Sequence, residues 1–497
     1  MIFYLLLLLI SYFLFQKYYW SRRNLPSGPF PLPIVGNIFD LLRENRWERK
    51  FSKWRSTYGS VYTYYLGDLP VVAVCDYDDM VKYFVKKGDL FADRYIADFS
   101  MNLLRGGEYG VISTNGEVWR EQRRFALKVL RDFGLGKNQM EERILAELHY
   151  TLNVINRKIE EGKEEIDLIP VTDMAVGSII NAIMSGYRFT EGHEEEFYTI
   201  KKLTTEIMNC FMSAGANLVF NNPWLYTVPV VNRRARSAVR LMHEIFEYLN
   251  SQIQHHLKEN DYSHDAEATD FIDAFLLEKA RRERDGEDAG IYHVQQLRNV
   301  CFDMWIGGQE TTSSTITWII AFMIRYPEAQ AKMQRELDAV IGSKRIVRNE
   351  DRPDLPYTNA VIMECQRSCN LFSQNVLRVA AEDTEIKGYA IKKGTIVVPQ
   401  VSVLFQNPKI FPEPHKFDPD RFIDQNGKLR QVEELIPFSL GKRICLGEGM
   451  ARMELFIFTA NLFNQYKFES GKVPPSLQKL HGASTMTESY TCVISRR

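Results

Sequence analysis

Cys445 lies in a segment whose residue types suit a thiolate that binds a metal. It follows the sequence Pro-Phe-Ser-Leu-Gly-Lys-Arg-Ile, which begins at Pro437, and it precedes an apolar run with helical spacing. Gly441 can adopt a positive φ angle, and Gly447 adds no side chain, so this loop can approach a flat macrocycle. A position at the start of a helix also favours the ionised thiol. We therefore predict that Cys445 binds a haem iron, the alternative being a buried structural cysteine.

Two neighbours of this cysteine fit the same cofactor. Phe438 can cover the sulfur side of the macrocycle, and Arg443 can pair with a haem propionate. The pattern Phe-x-x-Gly-x-Arg-x-Cys-x-Gly resembles the cysteine loop of the cytochrome P-450 superfamily. A cysteine thiolate holds the haem iron in that family. The resemblance therefore implies a haem b cofactor with Cys445 as its axial ligand.

A long helical pattern from 294 to 325 contains a stretch of poor helix formers. Gly307 and Gly308 stand three and two residues before Glu310, which Thr311 follows. Alanine or leucine at the two glycine positions would favour a helix more strongly. Small residues leave a groove, and the hydroxyl of Thr311 can bond to a carbonyl or a ligand. The stretch resembles the Gly-Gly-x-Glu-Thr-Thr segment of the family's distal helix, which implies that Thr311 and Glu310 serve dioxygen activation. Tight packing of the glycines against a neighbouring helix is the alternative.

Glu364 and Arg367 are three residues apart and share one helix face. An exposed pair of this kind is common and contributes little to stability. The spacing also resembles the Glu-x-x-Arg motif of the family, and the resemblance implies that Arg421 joins the pair. This group would fix the protein behind the cysteine loop, which is a structural role.

Trp119 and Arg123 are four residues apart on one face of a predicted helix. In the family this pair reaches the haem propionates, and the resemblance places Arg378 there too. With Arg443, three arginines would then neutralise two buried carboxylates.

Four cations line the same predicted helix at spacings of four, four and three residues: Arg120, Arg124, Lys128 and Arg131. Such a stripe suits an acidic electron donor, although an ordinary solvated helix face is nearly as good an explanation.

The composition fits an enzyme-sized globular protein. The chain has 497 residues, 45% of them hydrophobic, and a net charge of -1, which argues against a nucleic-acid partner. Its seven cysteines are scattered and odd in number, so we expect no disulfide framework and a reducing compartment.

The sequence divides into three parts. Residues 1–20 are largely apolar and end in an aromatic cluster before Arg22 and Arg23, which predicts a single-pass transmembrane anchor with the remaining chain in the cytosol. Residues 21–37 form a basic and proline-rich hinge. Residues 38–497 form one domain that is mainly α-helical with a small β-sheet region, including a hairpin around Gly67.

The motifs together resemble the microsomal drug- and lipid-metabolising members of the family. The resemblance implies the cytochrome P-450 fold, a triangular helical domain that holds the haem between the distal helix and the cysteine loop. It also implies insertion of one oxygen atom from O2 into a hydrophobic xenobiotic, fatty acid or steroid-like molecule at the endoplasmic reticulum membrane. Electrons would come from NADPH through a flavoprotein reductase, with cytochrome b5 as a further partner.

Two other functions remain open at this point. A haem-thiolate isomerase or dehydratase of peroxides needs neither a reductase nor a proton relay. A non-catalytic haem sensor needs only the cysteine loop. Both Glu310 and Thr311 are present, which favours the monooxygenase.

Overall fold

The computed structural model describes residues 2–43, 47–134, 138–190, 192–264, 266–288, 290–342, 345–481 and 484–497. Met1, the first residue of the expected anchor, lies outside these ranges. The α-helices are α1 Ile2–Tyr18, α2 Ile38–Leu42, α3 Trp47–Tyr58, α4 Tyr77–Met80, α5 Asp98–Arg105, α6 Gly116–Asp132, α7 Asn138–Glu160, α8 Ile169–Ser185, α9 Glu194–Met212, α10 Ala214–Asn221, α11 Arg233–Glu259, α12 Phe271–Arg284, α13 Val294–Arg325, α14 Pro327–Val340, α15 Pro356–Cys369, α16 Val401–Phe405 and α17 Glu448–Gln465. The strands are β1 Val61–Leu66, β2 Leu69–Val74, β3 Asp93–Arg94, β4 Arg378–Val379, β5 Thr384–Ile386, β6 Tyr389–Ile391, β7 Ile396–Pro399, β8 Tyr466–Ser470, β9 Leu480–His481, β10 Thr485–Met486 and β11 Cys492–Arg496.

The backbone forms two compact units. The first unit comprises residues 1–95, 372–416 and 432–445, and the second comprises residues 96–371, 417–431 and 446–497. The mainly helical fold with small sheets confirms the fold class expected from the sequence. The division into anchor, hinge and a single domain over 38–497 remains a prediction.

The first unit contains a five-stranded sheet in the order β1-β2-β7-β4-β3. The expected hairpin is present as the antiparallel pair β1 and β2, whose turn contains Gly67 at φ 60. One face of this sheet packs against α3 through aromatic side chains, with the Phe51 ring 5.3 Å from the Tyr64 ring. Large aromatic rings at such distances bury much apolar surface and give this small sheet its core.

The N-terminal part of the first unit begins with α1, which has 17 residues. Among the described residues, no helix combines the length and the hydropathy needed to cross a bilayer. The proline-rich segment after α1 packs on the sheet, because the Thr63 amide donates to the Ser27 carbonyl at 3.2 Å. Arg22 also donates to the carbonyl of Gly28 at 3.1 Å, so this segment is fixed by hydrogen bonds.

The second unit is built around α13, which packs against α8, α11, α15 and α17. Its bounds are those expected from the sequence, because Pro327 cannot continue a helix and instead begins α14. At the other end the ring Nδ1 of His293 accepts a hydrogen bond from the Gln296 amide and caps α13. The central helix therefore presents 307–311 from a fixed position within this unit.

One carboxyl group of α17 is buried without a partner. Glu454 is fully buried, and neither of its side-chain oxygens has a hydrogen-bond partner in the part of the chain that the structure describes. Burial disfavours the charged form and raises the pKa of Glu454 to about 8. The folded protein therefore keeps this group mainly neutral at pH 7, whereas the unfolded chain ionises it.

We expect Glu454→Gln to make stability less dependent on pH. Above the unfolded-state pKa and below the raised folded-state pKa, only the folded state holds the proton, so wild-type stability falls as the pH rises. The fall from pH 6 to pH 8 should be about 2 kcal/mol larger in the wild type than in the variant. Thermal unfolding of both proteins at the two pH values measures this difference. Equal losses of stability would show that Glu454 is not a neutral buried acid.

Candidate functional site

The loop before Cys445 is closed by backbone hydrogen bonds within the first unit. The Cys445 amide donates to the Phe438 carbonyl at 3.0 Å, and the Ile444 amide donates to the Gly441 carbonyl at 2.9 Å. Gly441 has φ 71, and a Cβ there would lie 1.9 Å from the carbonyl oxygen of Phe84. Only glycine fits this position, as the sequence predicted.

Cys445 differs from the other cysteines in its surroundings. All seven cysteines lie in the described ranges; six of them are buried, and Cys445 is exposed. Burial raises the pKa of the thiols of Cys75, Cys301 and Cys492. A thiolate ligand needs the ionised form, so these buried thiols are poor ligands.

The expectation that Cys445 begins a helix needs a small correction. Helix α17 begins three residues later at Glu448, and Gly447 is its N-cap. No heavy atom of the described chain lies within 4 Å of the position that a Cβ of Gly447 would take. Contacts within the described chain therefore do not explain the glycine at 447.

Arg378 is a buried guanidinium in the first unit whose hydrogen bonds are incomplete. Its Nη2 donates to the Leu440 carbonyl at 2.8 Å and to the Ser439 hydroxyl at 3.2 Å. Its Nε and Nη1 have no partner among the described residues. Burial, with a smaller contribution from the nearby cation Arg94, lowers the pKa of Arg378 to about 9. This geometry leaves two donors available for an anion.

Arg443 is held beside the same loop in the first unit. It is buried, and its Nε donates to the Ala92 carbonyl at 2.5 Å. The next residue toward the N-terminus, Lys442, is exposed and pairs with Asp89. The arginine of the motif therefore lies inside the unit, and the lysine lies on its surface.

Helix α6 carries the other expected cofactor residues in the second unit. Trp119 is buried, and Arg123 is half-buried one turn along. The four cations of the sequence stripe, Arg120, Arg124, Lys128 and Arg131, are all exposed. The helix thus has a buried Trp119 side and a basic solvent-facing side.

The two glycines of α13 serve different purposes. A Cβ on Gly308 would lie 2.4 Å from Cδ1 of Ile180 on α8, so this glycine permits close helix packing. A Cβ on Gly307 would meet nothing within 4 Å in the described chain, so Gly307 leaves open space. The Thr311 hydroxyl donates to the Gly307 carbonyl at 2.7 Å. The packing interpretation therefore accounts for Gly308 but not for Gly307.

Glu364 and Arg367 form a fully buried, two-point ion pair with both N-to-O distances at 2.7 Å. The Arg421 Nε lies 3.1 Å from the same carboxylate, and the Asp418 amide donates to it at 2.8 Å. The structure thus brings together the three residues that the sequence motif indicated. It also excludes the surface-pair interpretation, because both charges are buried.

A second buried pair was not foreseen from the sequence. The Oδ1 atom of Asp303 on α13 lies 2.7 Å from Nη2 of Arg105, and its Oδ2 accepts from the amides of Val111 and Ile112 at 2.7 and 2.8 Å. This carboxylate fixes the segment between α5 and α6 on the central helix, two turns before Thr311. The apolar setting of Asp303 in the sequence was the available signal.

One protein-family model and several known proteins match most of this chain. The Cytochrome P450 family model matches residues 26–493. The chain is 35% identical over 460 residues to cytochrome P450 2J5 of Mus musculus, and the match covers 92% of this chain and 87% of that protein. It is also 35% identical over 464 residues to cytochrome P450 2B4 of Oryctolagus cuniculus, with 93% and 91% covered. For cytochrome P450 2H1 of Gallus gallus the identity is 34% over 459 residues, with 91% and 89% covered.

The chain belongs to the cytochrome P450 family. It is a cytochrome P450 monooxygenase, and its cofactor is a haem whose iron is bound by a thiolate.

The first unit contains residues that fit this cofactor. A buried cation without an anion costs several kcal/mol, and each of the two unpartnered nitrogen atoms of Arg378 can donate a hydrogen bond to a carboxylate oxygen. A haem propionate is such a carboxylate. Cys445 is an exposed sulfur atom on a loop that only glycine at 441 allows.

Arg378→Met should weaken haem retention, because the methionine cannot neutralise a propionate. A hydrogen bond to a charged group contributes about 1.5–3 kcal/mol, so we expect haem transfer to apomyoglobin to become about tenfold faster or more. Arg55→Met, which removes a partly exposed arginine of the same unit, is the matched control. Wild-type transfer rates in Arg378→Met would rule out this contact.

Proposed function

We propose that this monooxygenase inserts one oxygen atom from O2 into a hydrophobic small molecule, with electrons from NADPH through a flavoprotein reductase. The substrate class is that of xenobiotics, fatty acids and steroid-like molecules. The observation that carries the proposal is the adjacent acid and alcohol, Glu310 and Thr311, on a helix opened at Gly307. A haem sensor or a peroxide isomerase would not need this pair.

The roles of the chain's own residues follow from their chemistry. Cys445 would hold the haem iron through its thiolate, on a loop that Gly441 shapes. Phe438 and Gly447 flank the cysteine in the sequence, and Arg443 lies beside the loop. Arg378 and Arg443 of the first unit would neutralise the propionates. The family motif assigns a propionate contact to Arg123 and Trp119 as well, the one as a charge and the other as a hydrogen-bond donor. The bound haem supplies the redox chemistry that activates O2.

The proton-handling residues lie on α13. Thr311 holds its hydroxyl at a fixed position by donating to the Gly307 carbonyl. The hydroxyl oxygen can still accept a hydrogen bond from water, and so it can hold a water molecule in line for proton delivery. Glu310 is the adjacent acid that exchanges protons with this water.

An oxygen-18 experiment tests the function directly. The enzyme, reconstituted with reductase and NADPH under 18O2, is assayed against a panel of fatty acids and xenobiotics by mass spectrometry. We expect one labelled oxygen atom in the product and none without NADPH. Conversion of added peroxides without reductase, together with no NADPH-dependent product, would favour the isomerase. Haem binding without either reaction would favour the sensor.

Thr311→Ala should separate NADPH consumption from product formation. Without the hydroxyl, the water molecule that delivers protons is no longer held in place. Reduced oxygen therefore leaves as hydrogen peroxide, while the haem remains bound. We expect severalfold less product per NADPH, measured together with peroxide and with the haem spectrum. Thr311→Ser, which keeps the hydroxyl, should retain most of the coupling. Wild-type coupling in Thr311→Ala would exclude this role.

The electron donor is proposed to bind the basic stripe on α6. Its four cations are exposed, and a row of like charges attracts an acidic partner over a distance set by ionic strength. A flavoprotein reductase and, as a further donor, cytochrome b5 are the proposed partners.

Lys128→Glu should slow turnover supported by the reductase severalfold at low ionic strength. The difference from the wild type should shrink as salt is added, because the lost attraction is screened. Turnover driven by peroxide bypasses the donor and should not change. Lys163→Glu, at an exposed position outside α6, is the control. Equal losses in both assays would indicate a folding defect instead of a docking role.

Membrane attachment is proposed for the N-terminal segment, with the endoplasmic reticulum as its location and the remaining chain in the cytosol. Exposed apolar side chains on α1 include Phe3, Leu8 and Phe13, and Trp224 is exposed in the second unit. Apolar surface of this kind is stabilised by burial in lipid.

Deletion of residues 1–20 should leave a folded haem protein that salt or mild detergent releases more easily from membranes. Sedimentation with microsomes and the haem spectrum measure the two properties. Loss of haem in the truncated protein would show that this segment belongs to the folded core.

A further inference from the structure

Glu310 has one partner for its carboxyl group within the described chain. The Ser484 hydroxyl lies 2.7 Å from Oε1 of Glu310, and no other described side chain or backbone group bonds or pairs with this carboxylate. Ser484 is buried, and it lies 174 residues further along the chain. The orientation of the acid on α13 therefore depends on a residue of the C-terminal segment.

The backbone next to Ser484 is held from several sides. The Thr485 amide donates to the Leu371 carbonyl at 2.8 Å, and its hydroxyl donates to the Cys369 carbonyl at 3.1 Å. The Thr485 carbonyl accepts from the indole N–H of Trp318 on α13 at 3.2 Å. These bonds hold the backbone beside Ser484 against the helix that carries Glu310. The Ser484 hydroxyl is therefore already in position to bond to the Glu310 carboxyl group.

The helix backbone at Glu310 is fixed on the other side by its neighbour. Gln309 accepts from Nζ of Lys201 on α9 at 2.9 Å, and its amide nitrogen donates to Asp173 on α8 at 3.2 Å. With the backbone fixed in this way, the freedom that remains at Glu310 lies in its side chain. Ser484 is the group that limits it.

A hydroxyl group suits an acid that changes its protonation state. It donates to the ionised carboxylate, and its lone pairs accept from the protonated carboxyl, so the contact survives both states. A group that only donates, such as a backbone N–H or an ammonium group, would favour the ionised state. Only Oε1 is occupied, which leaves Oε2 of Glu310 available to water.

We propose that Ser484 is a positioning residue that holds the Glu310 carboxyl group in the orientation needed for proton delivery. The proposal rests on the function proposed above, in which Glu310 exchanges protons during oxygen activation. Ser484 acts through Glu310 and needs no contact of its own with the substrate.

The test compares Ser484→Ala with Ser484→Thr, which keeps the hydroxyl, and with Ser470→Ala, an exposed serine of the same C-terminal segment. Full-length holoenzyme with reductase is assayed with lauric acid and 7-ethoxycoumarin as probes. We expect Ser484→Ala to lower kcat and the product formed per NADPH about three- to tenfold, with KM nearly unchanged. Ser484→Thr and Ser470→Ala should behave like the wild type.

A spectroscopic measurement makes the test independent of turnover. With 13C-labelled glutamate, the infrared difference between the wild type and Glu310→Gln isolates the carboxylate band of Glu310. This band should shift in Ser484→Ala and stay in place in Ser484→Thr. An unshifted band in Ser484→Ala would overturn the proposed contact.

A double variant separates failure of this inference from failure of the proposed function. If Ser484 acts through Glu310, Ser484→Ala should cause no further loss in a Glu310→Gln background. Additive losses, or a Ser484→Thr variant as poor as Ser484→Ala, would overturn the positioning role. Wild-type coupling in Glu310→Gln alone would overturn the role of Glu310 and this inference with it, even where the infrared band shifts.

Discussion

A charge buried in a protein interior must be paired or neutralised, and this chain meets that constraint in three ways. Glu364 is paired with Arg367 and approached by Arg421, and this pair ties α15 to the segment that follows Phe417. Glu454 loses its charge instead, because burial without a partner raises its pKa. Two nitrogen atoms of the buried Arg378 have no partner among the described residues, and we propose that a haem propionate is the anion that pairs with this arginine. In the proposed function, the bound cofactor would therefore contribute to the charge balance of the first unit.

Helix α13 contains two adjacent glycines, Gly307 and Gly308, and remains helical throughout. Gly308 is needed for the close approach of α8, whereas a Cβ at Gly307 would meet open space. The helix tolerates two glycines because its 32 residues are otherwise packed on several neighbours. Long-range polar contacts then fix the side chains around this stretch, with Asp303 bound to Arg105 two turns before Thr311 and Glu310 bound to Ser484.

The parts of this arrangement that are local in sequence could be predicted. The bounds of α13 followed from its periodicity and from Pro327, and the need for glycine at 441 followed from the turn before Cys445. The contact of Glu364 with Arg367 and Arg421 could be predicted, because the three residues belong to two short sequence motifs. The contacts of Asp303 and Glu310 could not be predicted, because their partners lie 198 and 174 residues away and no local sequence pattern indicates such a pairing. The start of α17 was missed by three residues, because a sequence pattern does not fix the terminal residue of a helix.

The central claim is that Cys445 is the thiolate ligand of the haem iron, and the spectrum of the reduced carbon monoxide complex tests it most directly. The wild-type protein should show the red-shifted Soret band of thiolate ligation. Cys445→Ser should lose that band, whereas Cys210→Ser, at a buried cysteine of the second unit, should keep it. An unchanged red-shifted band in Cys445→Ser would contradict the account.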